Sequence, residues 1–127
     1  MKSKKKDTGI IKQLLDGGIQ NIIIPKVETG AETEDIMYWA SYAPRDNRGF
    51  GASAVRAGRF NRLPDYLARN VDEICILPQI ESVRGWENLD AITNTPGVGA
   101  VFLGPIDLAV DMGHGIDIFH PEVEAAM

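Results

Sequence analysis

Two acidic side chains follow predicted strands at a spacing that could hold a metal ion. Glu81 ends the segment Pro78-Gln79-Ile80-Glu81, in which Gln79 and Glu81 point to the same side because side chains alternate along a strand. Asp107 follows the next predicted strand. Two carboxylates without a nearby His or Cys form an all-oxygen site that suits Mg²⁺ or Mn²⁺. The alternative is that Glu81 caps the following helix and Asp107 opens a turn.

Composition excludes several classes of protein. The 127 residues are enough for one domain with a core, and the net charge of −5 argues against a general nucleic-acid binder. No apolar run is long enough to span a bilayer, and no signal-peptide core follows MKSKKKD, so we expect a cytoplasmic protein. The single cysteine, Cys75, is expected to be a small buried hydrophobe.

Helix-like and strand-like segments alternate along the chain. Apolar residues at helical spacing predict a helix from Ile10 to Leu15, which Gly17-Gly18 end. Thr29 is the expected N-cap of a second helix. The predicted elements are a strand at 22–24, a helix at 30–43, a Gly- and Arg-rich loop at 44–62, a helix at 63–70, a strand at 73–80, a helix at 83–93, a strand at 98–103 and a helix starting at 120–122. Apolar strands alternating with helices indicate βαβ units and a parallel sheet.

The motifs around the two acidic residues resemble those of a known family. QIES, followed 25 residues later by the Asp of GPIDLAVDMG, is similar to the QIE(T/S)…GPxDL(S/A)xxMG pattern of the HpcH/HpaI aldolases. The stretches IKQLLDGGIQNIIIPKVE and YAPRDNRGFGASAVRAGRFNRLPDYL resemble the same family, in order and with matching spacing, from about Ile10 to Val123. This resemblance implies an α/β fold, a partial TIM (β/α)8 barrel of about three central units that resemble its fourth to sixth strands. Residues 10–127 are then a partial barrel domain, and residues 1–9 are a basic start that we expect to be disordered.

The resemblance also implies roles for particular residues. Glu81 and Asp107 look like the two protein ligands of a divalent metal, Mg²⁺ or Mn²⁺. Gln79 looks like the polar group beside the bound pyruvate moiety. The backbone of Gly104, Pro105, Ile106 and Asp107 resembles the segment that receives the substrate carboxylate. Asp16 matches the residue that supports the family's histidine base, although an acidic residue near a helix end is the alternative.

The function that the resemblance implies is a class II pyruvate aldolase, a carbon–carbon lyase. Such an enzyme cleaves 2-keto-3-deoxy sugar acids or 4-hydroxy-2-oxo acids to pyruvate and an aldehyde. The implied partners are these small molecules, with no nucleic acid and no membrane. Full-length members of the family form homo-oligomers, commonly hexamers.

The chain departs from the family pattern in several places. The catalytic histidine of the family and its arginine for the keto oxygen have no counterpart, since His114 and His120 lie in another segment. Three strands cannot close a barrel and would leave two unpaired edges. We therefore expect a fragment, a truncated gene product or one piece of an assembly of several chains, with weak or no activity in isolation. Pro78 removes a donor from a predicted strand. Ile106 replaces a small residue, which would crowd the substrate carboxylate.

Three other functions compete with this hypothesis. Lys26 follows the first predicted strand and suggests a Schiff-base aldolase if burial lowers its pKa. A non-catalytic metal-binding remnant or interaction module would need neither the histidine nor the arginine. The loop at 44–62 could bind phosphate or nucleic acid, but arginines at the mouth of an active site would instead steer an anionic sugar acid.

Overall fold

Helices and strands alternate in the computed structural model, which describes residues 8–51 and 53–127. The helices are α1 Thr8–Asp16, α2 Gly30–Ala40, α3 Tyr66–Glu73, α4 Val83–Glu87, α5 Leu89–Thr93, α6 Pro105–Asp111 and α7 Pro121–Ala126. The strands are β1 Asn21–Ile24, β2 Cys75–Ile80 and β3 Phe102–Leu103. This order confirms the predicted α/β alternation.

The first helix ends where the sequence predicts. Ile11 and Leu15, four residues apart, are both buried, which places the apolar stripe of α1 inward. Gly18 then adopts φ 94°, and the N–H of Ile19 donates to the carbonyl of Leu14 at 3.1 Å. The predicted disordered start at 1–9 falls mainly outside the described residues, and only its last two residues are described, as the beginning of α1.

The three strands form one sheet in the order β1-β2-β3. β2 and β3 are parallel, with Gln79 opposite Phe102 and Ile80 opposite Leu103. The third strand was predicted at 98–103, but β3 contains only the last two of these residues, Phe102 and Leu103. The parallel sheet of a partial barrel is therefore confirmed, although its third strand is shorter than predicted.

β1 and β2 are each buried on one face only. Along β1 the burial alternates, so that Ile22 and Ile24 are buried while Ile23 is 46% exposed. In β2 the buried face carries Ile76 and Ile80, whereas Cys75 lies on the other face and is exposed. The expectation that Cys75 is a buried hydrophobe was wrong, because its position at the start of β2 places it on the uncovered face.

Several element boundaries differ from the prediction. α2 ends at Ala40, three residues early, and α3 begins at Tyr66 rather than at residue 63. The helix predicted at 83–93 is two short helices that meet at Asn88, whose φ of −101° and ψ of 13° break the regular turn. α6 is not among the predicted elements; it begins at Pro105, a residue type that favours the first helical position.

The chain divides into two compact units. One comprises the chain up to Ile22 together with Glu34–Cys75, and the other comprises Ile23–Thr33 together with Ile76–Met127. The first unit contains α1, most of α2, the arginine-rich loop and α3. The second contains nearly all of β2, with β3 and α4 to α7. Among the described residues, none of the helices combines the length and the apolar character needed to cross a membrane.

Candidate active site

Glu81 and Gly104 lie side by side at the carboxyl ends of β2 and β3. The register that pairs Ile80 with Leu103 continues one step further, because the N–H of Gly104 donates to the carbonyl of Ile80 at 2.9 Å. Active sites of parallel α/β folds occupy this edge of the sheet. The register therefore places the carboxyl ends of these two strands next to each other.

The space around Gly104 is occupied by two predicted site residues, Gln79 of β2 and Glu81 just after it. A Cβ atom at Gly104 would lie 2.8 Å from the Cβ of Glu81, 3.0 Å from Nε2 of Gln79 and 3.1 Å from Oε2 of Glu81. Gln79 and Glu81 thus point to the same side, as strand alternation predicts, and both side chains approach the glycine. Only a residue without a side chain fits at position 104 without displacing them.

Asp107 lies in the first turn of α6, three residues beyond Gly104, and is exposed. The first backbone bond of this helix runs from the N–H of Leu108 to the carbonyl of Gly104 at 3.0 Å. The N–H groups of Ile106 and Asp107 precede that bond and have no intrahelical acceptor. Ile106 itself is 54% exposed. The predicted segment therefore offers one carboxylate and two backbone donors beside Gly104.

The structure decides against the view that Glu81 caps the following helix. The cap of α4 is Ser82, whose Oγ accepts from the N–H of Gly85 at 3.1 Å. The N–H of Val83 donates to Oδ2 of Asp111 at 2.8 Å.

Within the chain segments that the structure describes, the carboxylates of Glu81 and Asp107 have no hydrogen bond or ion pair. Their hard oxygen donors fit a divalent ion of the Mg²⁺ or Mn²⁺ type.

Glu28 is a residue of this region that the sequence argument missed. It follows β1, and its Oε1 accepts a hydrogen bond from the Ser82 hydroxyl at 3.2 Å. Its Oε2 lies 3.8 Å from Nη1 of Arg84, and its N–H donates to Oε2 of Glu32 at 2.9 Å. The sequence could have indicated Glu28, because it is an acidic residue that follows a strand, as Glu81 does.

Asp16 lies in the other unit, at the end of α1. Its Oδ1 accepts from Nη2 of Arg48 at 2.7 Å, and its Oδ2 pairs with Lys12. Burial tends to raise the pKa of the Asp16 carboxyl, but the hydrogen bonds and positive charges of Lys12 and Arg48 outweigh it and hold the pKa below its usual value. Asp16 is therefore a fixed carboxylate and a poor proton acceptor near neutral pH.

Arg48 is not one of the solvent-facing arginines predicted for the loop. Its side chain is completely buried, Nη1 donates to Oδ1 of Asn70 at 3.3 Å, and its guanidinium carbon lies 4.4 Å from the ring centre of Tyr42. Burial raises the pKa of the Tyr42 hydroxyl. The prediction that the loop arginines steer an anion is wrong for Arg48, whereas Arg56 and Arg59 are exposed.

A cavity of about 480 Å³ in the first unit does not coincide with the predicted site. It is lined by residues that include Gly17, Arg56, Tyr66 and Asn70, and Asp16 is not among them. The predicted residues of β2 and α6 belong to the second unit. The cavity therefore plays no part in the assignment of the site.

Comparison with known proteins agrees with the motifs and the sheet. A sequence model described as HpcH/HpaI aldolase/citrate lyase matches residues 3–127, nearly the whole chain. The chain belongs to this family. Gln79 and Glu81 lie in its QIES motif, and Gly104 begins its GPIDLAVDMG motif.

Relatives with known names extend the comparison. A hydroxypyruvate/pyruvate aldolase from Pseudomonas aeruginosa is 43% identical over 121 residues, which are 95% of this chain and 45% of that protein. A 4-hydroxy-2-oxo-heptane-1,7-dioate aldolase from Escherichia coli is 44% identical over 117 residues, 92% of this chain and 45% of that protein. A crystal structure of a family member from Burkholderia cenocepacia superimposes with a TM-score of 0.87 at 34% identity, covering 95% of this chain and 48% of that one. The chain thus spans about half the length of the relatives that it matches.

Proposed function

We propose that this chain carries the metal- and keto-acid-binding part of a class II aldolase, a carbon–carbon lyase that cleaves 4-hydroxy-2-oxo acids or 2-keto-3-deoxy sugar acids. The observation that carries the proposal is the convergence of Gln79 and Glu81 on Gly104, beside Asp107 in the first turn of α6. Membership of the family and the aldolase names of two relatives support it.

Glu81 and Asp107 are the residues that would hold the divalent ion. When bound, Mg²⁺ or Mn²⁺ would supply Lewis-acid stabilisation of the negative charge that develops on the keto acid. The amide of Gln79, which points to the same side as Glu81, would orient the keto acid. The N–H groups of Ile106 and Asp107 would receive its carboxylate, since helix-start donors stabilise anions.

The cleavage needs a base that takes the proton of the 4-hydroxyl group. The C3–C4 bond then breaks, the aldehyde leaves, and the electron pair remains on the three-carbon fragment as an enolate that is protonated to pyruvate. Asp16 is unsuited to be that base, because its pKa is lowered and its two carboxylate oxygens are bonded to Arg48 and Lys12. Because the family's histidine has no counterpart here, we expect weak or no turnover by the isolated chain.

Mn²⁺ binding tests the proposal directly. Titration with Mn²⁺ of a chain that carries His114→Gln and His120→Gln, which removes two imidazoles that could also hold a transition ion, should show one site by electron paramagnetic resonance. Glu81→Gln and Asp107→Asn should each weaken this site at least about tenfold, as loss of a metal-supporting group typically does. Glu87→Gln, which alters an exposed carboxylate of α4, is the matched control and should bind as that background does. Equal Mn²⁺ binding by the Glu81 and Glu87 variants would overturn the assignment.

A retro-aldol assay separates the remaining alternatives. Turnover with Mg²⁺ that EDTA abolishes supports the class II route, whereas Mn²⁺ binding without turnover supports a non-catalytic metal-binding module. Trapping of pyruvate by borohydride would instead point to the Schiff-base route through Lys26. That residue is exposed, which gives it none of the burial that the Schiff-base hypothesis assumed.

A further inference from the structure

Three metal-ligating side chains gather after α6, on residues that the aldolase hypothesis does not use. His114, His120 and Glu122 each offer a ligand atom, and these atoms all lie within 4.8 Å of one another. Nε2 of His114 is 2.7 Å from Oε2 of Glu122. The rings of His114 and His120 stack, with centroids 3.5 Å apart and planes 14° from parallel. Two imidazoles and a carboxylate are thus clustered within nine residues.

The backbone of this segment holds both histidines in place. The N–H of His114 donates to the carbonyl of Ala109 at 2.9 Å, and the N–H of His120 donates to the carbonyl of Asp117 at 3.3 Å. Gly113 and Gly115 adopt φ values of 90° and 60°, which residues with a side chain rarely take. These turns fold the loop back on itself, so the side chains meet because of the loop conformation.

We propose that His114, His120 and Glu122 bind a divalent cation of the zinc class. Imidazole nitrogens with one carboxylate oxygen suit Zn²⁺ and related transition ions, while Mg²⁺ prefers oxygen ligands alone. Three protein ligands leave a fourth position of a tetrahedral ion for water. This site is chemically different from the all-oxygen pair of Glu81 and Asp107, and it does not depend on the aldolase proposal.

The cluster needs only a small adjustment to hold such an ion. Ligand bonds of about 2.0–2.1 Å in a tetrahedron place donor atoms roughly 3.3 Å apart, so no pair of donor atoms must close by more than roughly 1.5 Å. Side-chain rotation can supply this movement, since His114 and His120 are partly exposed and Glu122 is exposed. The stacked rings must also turn, because parallel rings direct their lone pairs side by side rather than at one point.

Ion binding has a local structural consequence at α7. The N–H of Glu122 donates to Nδ1 of His120 at 3.3 Å and so caps the helix. If Nδ1 of His120 binds the ion, its lone pair is no longer available to the N–H of Glu122. If Nε2 binds the ion, the ring proton lies on Nδ1, which then cannot accept a hydrogen bond. In either case the hydrogen bond is lost. The amide resonance of Glu122 is therefore a reporter of ion binding that is separate from catalytic activity.

Calorimetric titration of the untagged chain with Zn²⁺ tests the proposal. The background is Cys75→Ser with Glu81→Gln and Asp107→Asn, which removes an exposed thiol and the proposed active-site ligands. Zn²⁺ should bind in a 1:1 ratio and shift the ring proton resonances of both histidines and the amide of Glu122. Mg²⁺ at the same concentration should do neither.

Single variants in that background identify the ligands. His114→Gln, His120→Gln and Glu122→Gln should each weaken Zn²⁺ binding at least about tenfold. Glu124→Gln, which alters another exposed carboxylate of α7, is the matched control and should leave binding unchanged. Circular dichroism verifies that each variant is folded like its background. The proposal is wrong if Zn²⁺ leaves the ring resonances unmoved, or if the Glu122 and Glu124 variants bind Zn²⁺ equally well.

Discussion

Nη2 of Arg48 donates to Oδ1 of Asp16 at 2.7 Å, and the arginine side chain that makes this bond has no exposed surface. The pair joins residues 32 positions apart within one unit. The guanidinium also reaches the Asn70 side chain and lies over the Tyr42 ring. A buried charge with these partners holds the loop after α2 to the end of α1.

Truncation of Arg48 should strongly destabilise the chain. Arg48→Ala removes the hydrogen bond from a fully buried guanidinium to Asp16, although Lys12 still pairs with that carboxylate; loss of a hydrogen bond to a charged group costs about 1.5–3 kcal/mol. Urea unfolding should show this loss in the free energy of unfolding. Arg69→Ala is the control, because Arg69 pairs with Glu73 at 2.6 Å on the surface with 65% of its side chain exposed. Such a pair contributes about 0–1 kcal/mol, so equal losses in the two variants would contradict the role given to Arg48.

The same pair predicts how stability depends on pH. Since the pKa of Asp16 is lower in the folded chain than in the unfolded chain, its contribution is fully present above the unfolded value of about 3.9. The contribution is lost as pH falls from that value through the lower folded pKa. Asp16→Asn should therefore reduce the free energy of unfolding at pH 7, and the difference from the unaltered chain should shrink below about pH 4. A difference that is constant from pH 7 to pH 3 would argue against an ionised Asp16 in this role.

Local patterns in the sequence predicted the local features of the structure. The helical spacing of Ile11 and Leu15 predicted the buried face of α1, and Gly17-Gly18 predicted where this helix ends. Thr29 was identified as an N-cap, and its Oγ1 accepts from the N–H of Glu32 at 3.1 Å. Strand alternation placed Gln79 and Glu81 on one side. Each of these inferences needs only neighbours within a few residues, which is the range over which propensity and periodicity act.

Contacts between residues that are far apart in the sequence could not be predicted from such local patterns. An arginine within a Gly-rich loop is normally a solvated side chain, and nothing within several residues of Arg48 indicates its distant partners Asp16 and Asn70. The exposure of Ile23 could not be foreseen either, because an apolar strand residue does not show whether its face is covered. The meeting of His114, His120 and Glu122 depends on how the loop between the histidines turns back, which their spacing does not specify.

The cap of α4 should contribute measurably to stability. Ser82 is buried, accepts from the N–H of Gly85 and donates to Glu28. Ser82→Ala should lower the free energy of unfolding by about 0.5–2 kcal/mol, as loss of an N-cap does. Thr93→Ala is the comparison, since that exposed hydroxyl bonds back to the carbonyl of Leu89 within α5 and its loss should cost less than about 0.5 kcal/mol. Thermal unfolding of both variants measures the difference, which should be absent if the Ser82 bonds do not stabilise the fold.

The tight space at Gly104 predicts that a single methyl group disrupts the candidate active site. The Cβ of Gly104→Ala would lie 2.8 Å from the Cβ of Glu81, closer than such atoms approach, so the Glu81 backbone or that of Gly104 must shift. Overpacking of this kind costs about 1–3 kcal/mol, and the displaced carboxylate should bind Mn²⁺ more weakly. Gly99→Ala adds the same atom where nothing lies within 4 Å and should change neither property. Urea unfolding and Mn²⁺ titration of both variants measure the two effects. Unchanged Mn²⁺ binding in Gly104→Ala would show that Glu81 is not held against Gly104 in the way that the proposed site requires.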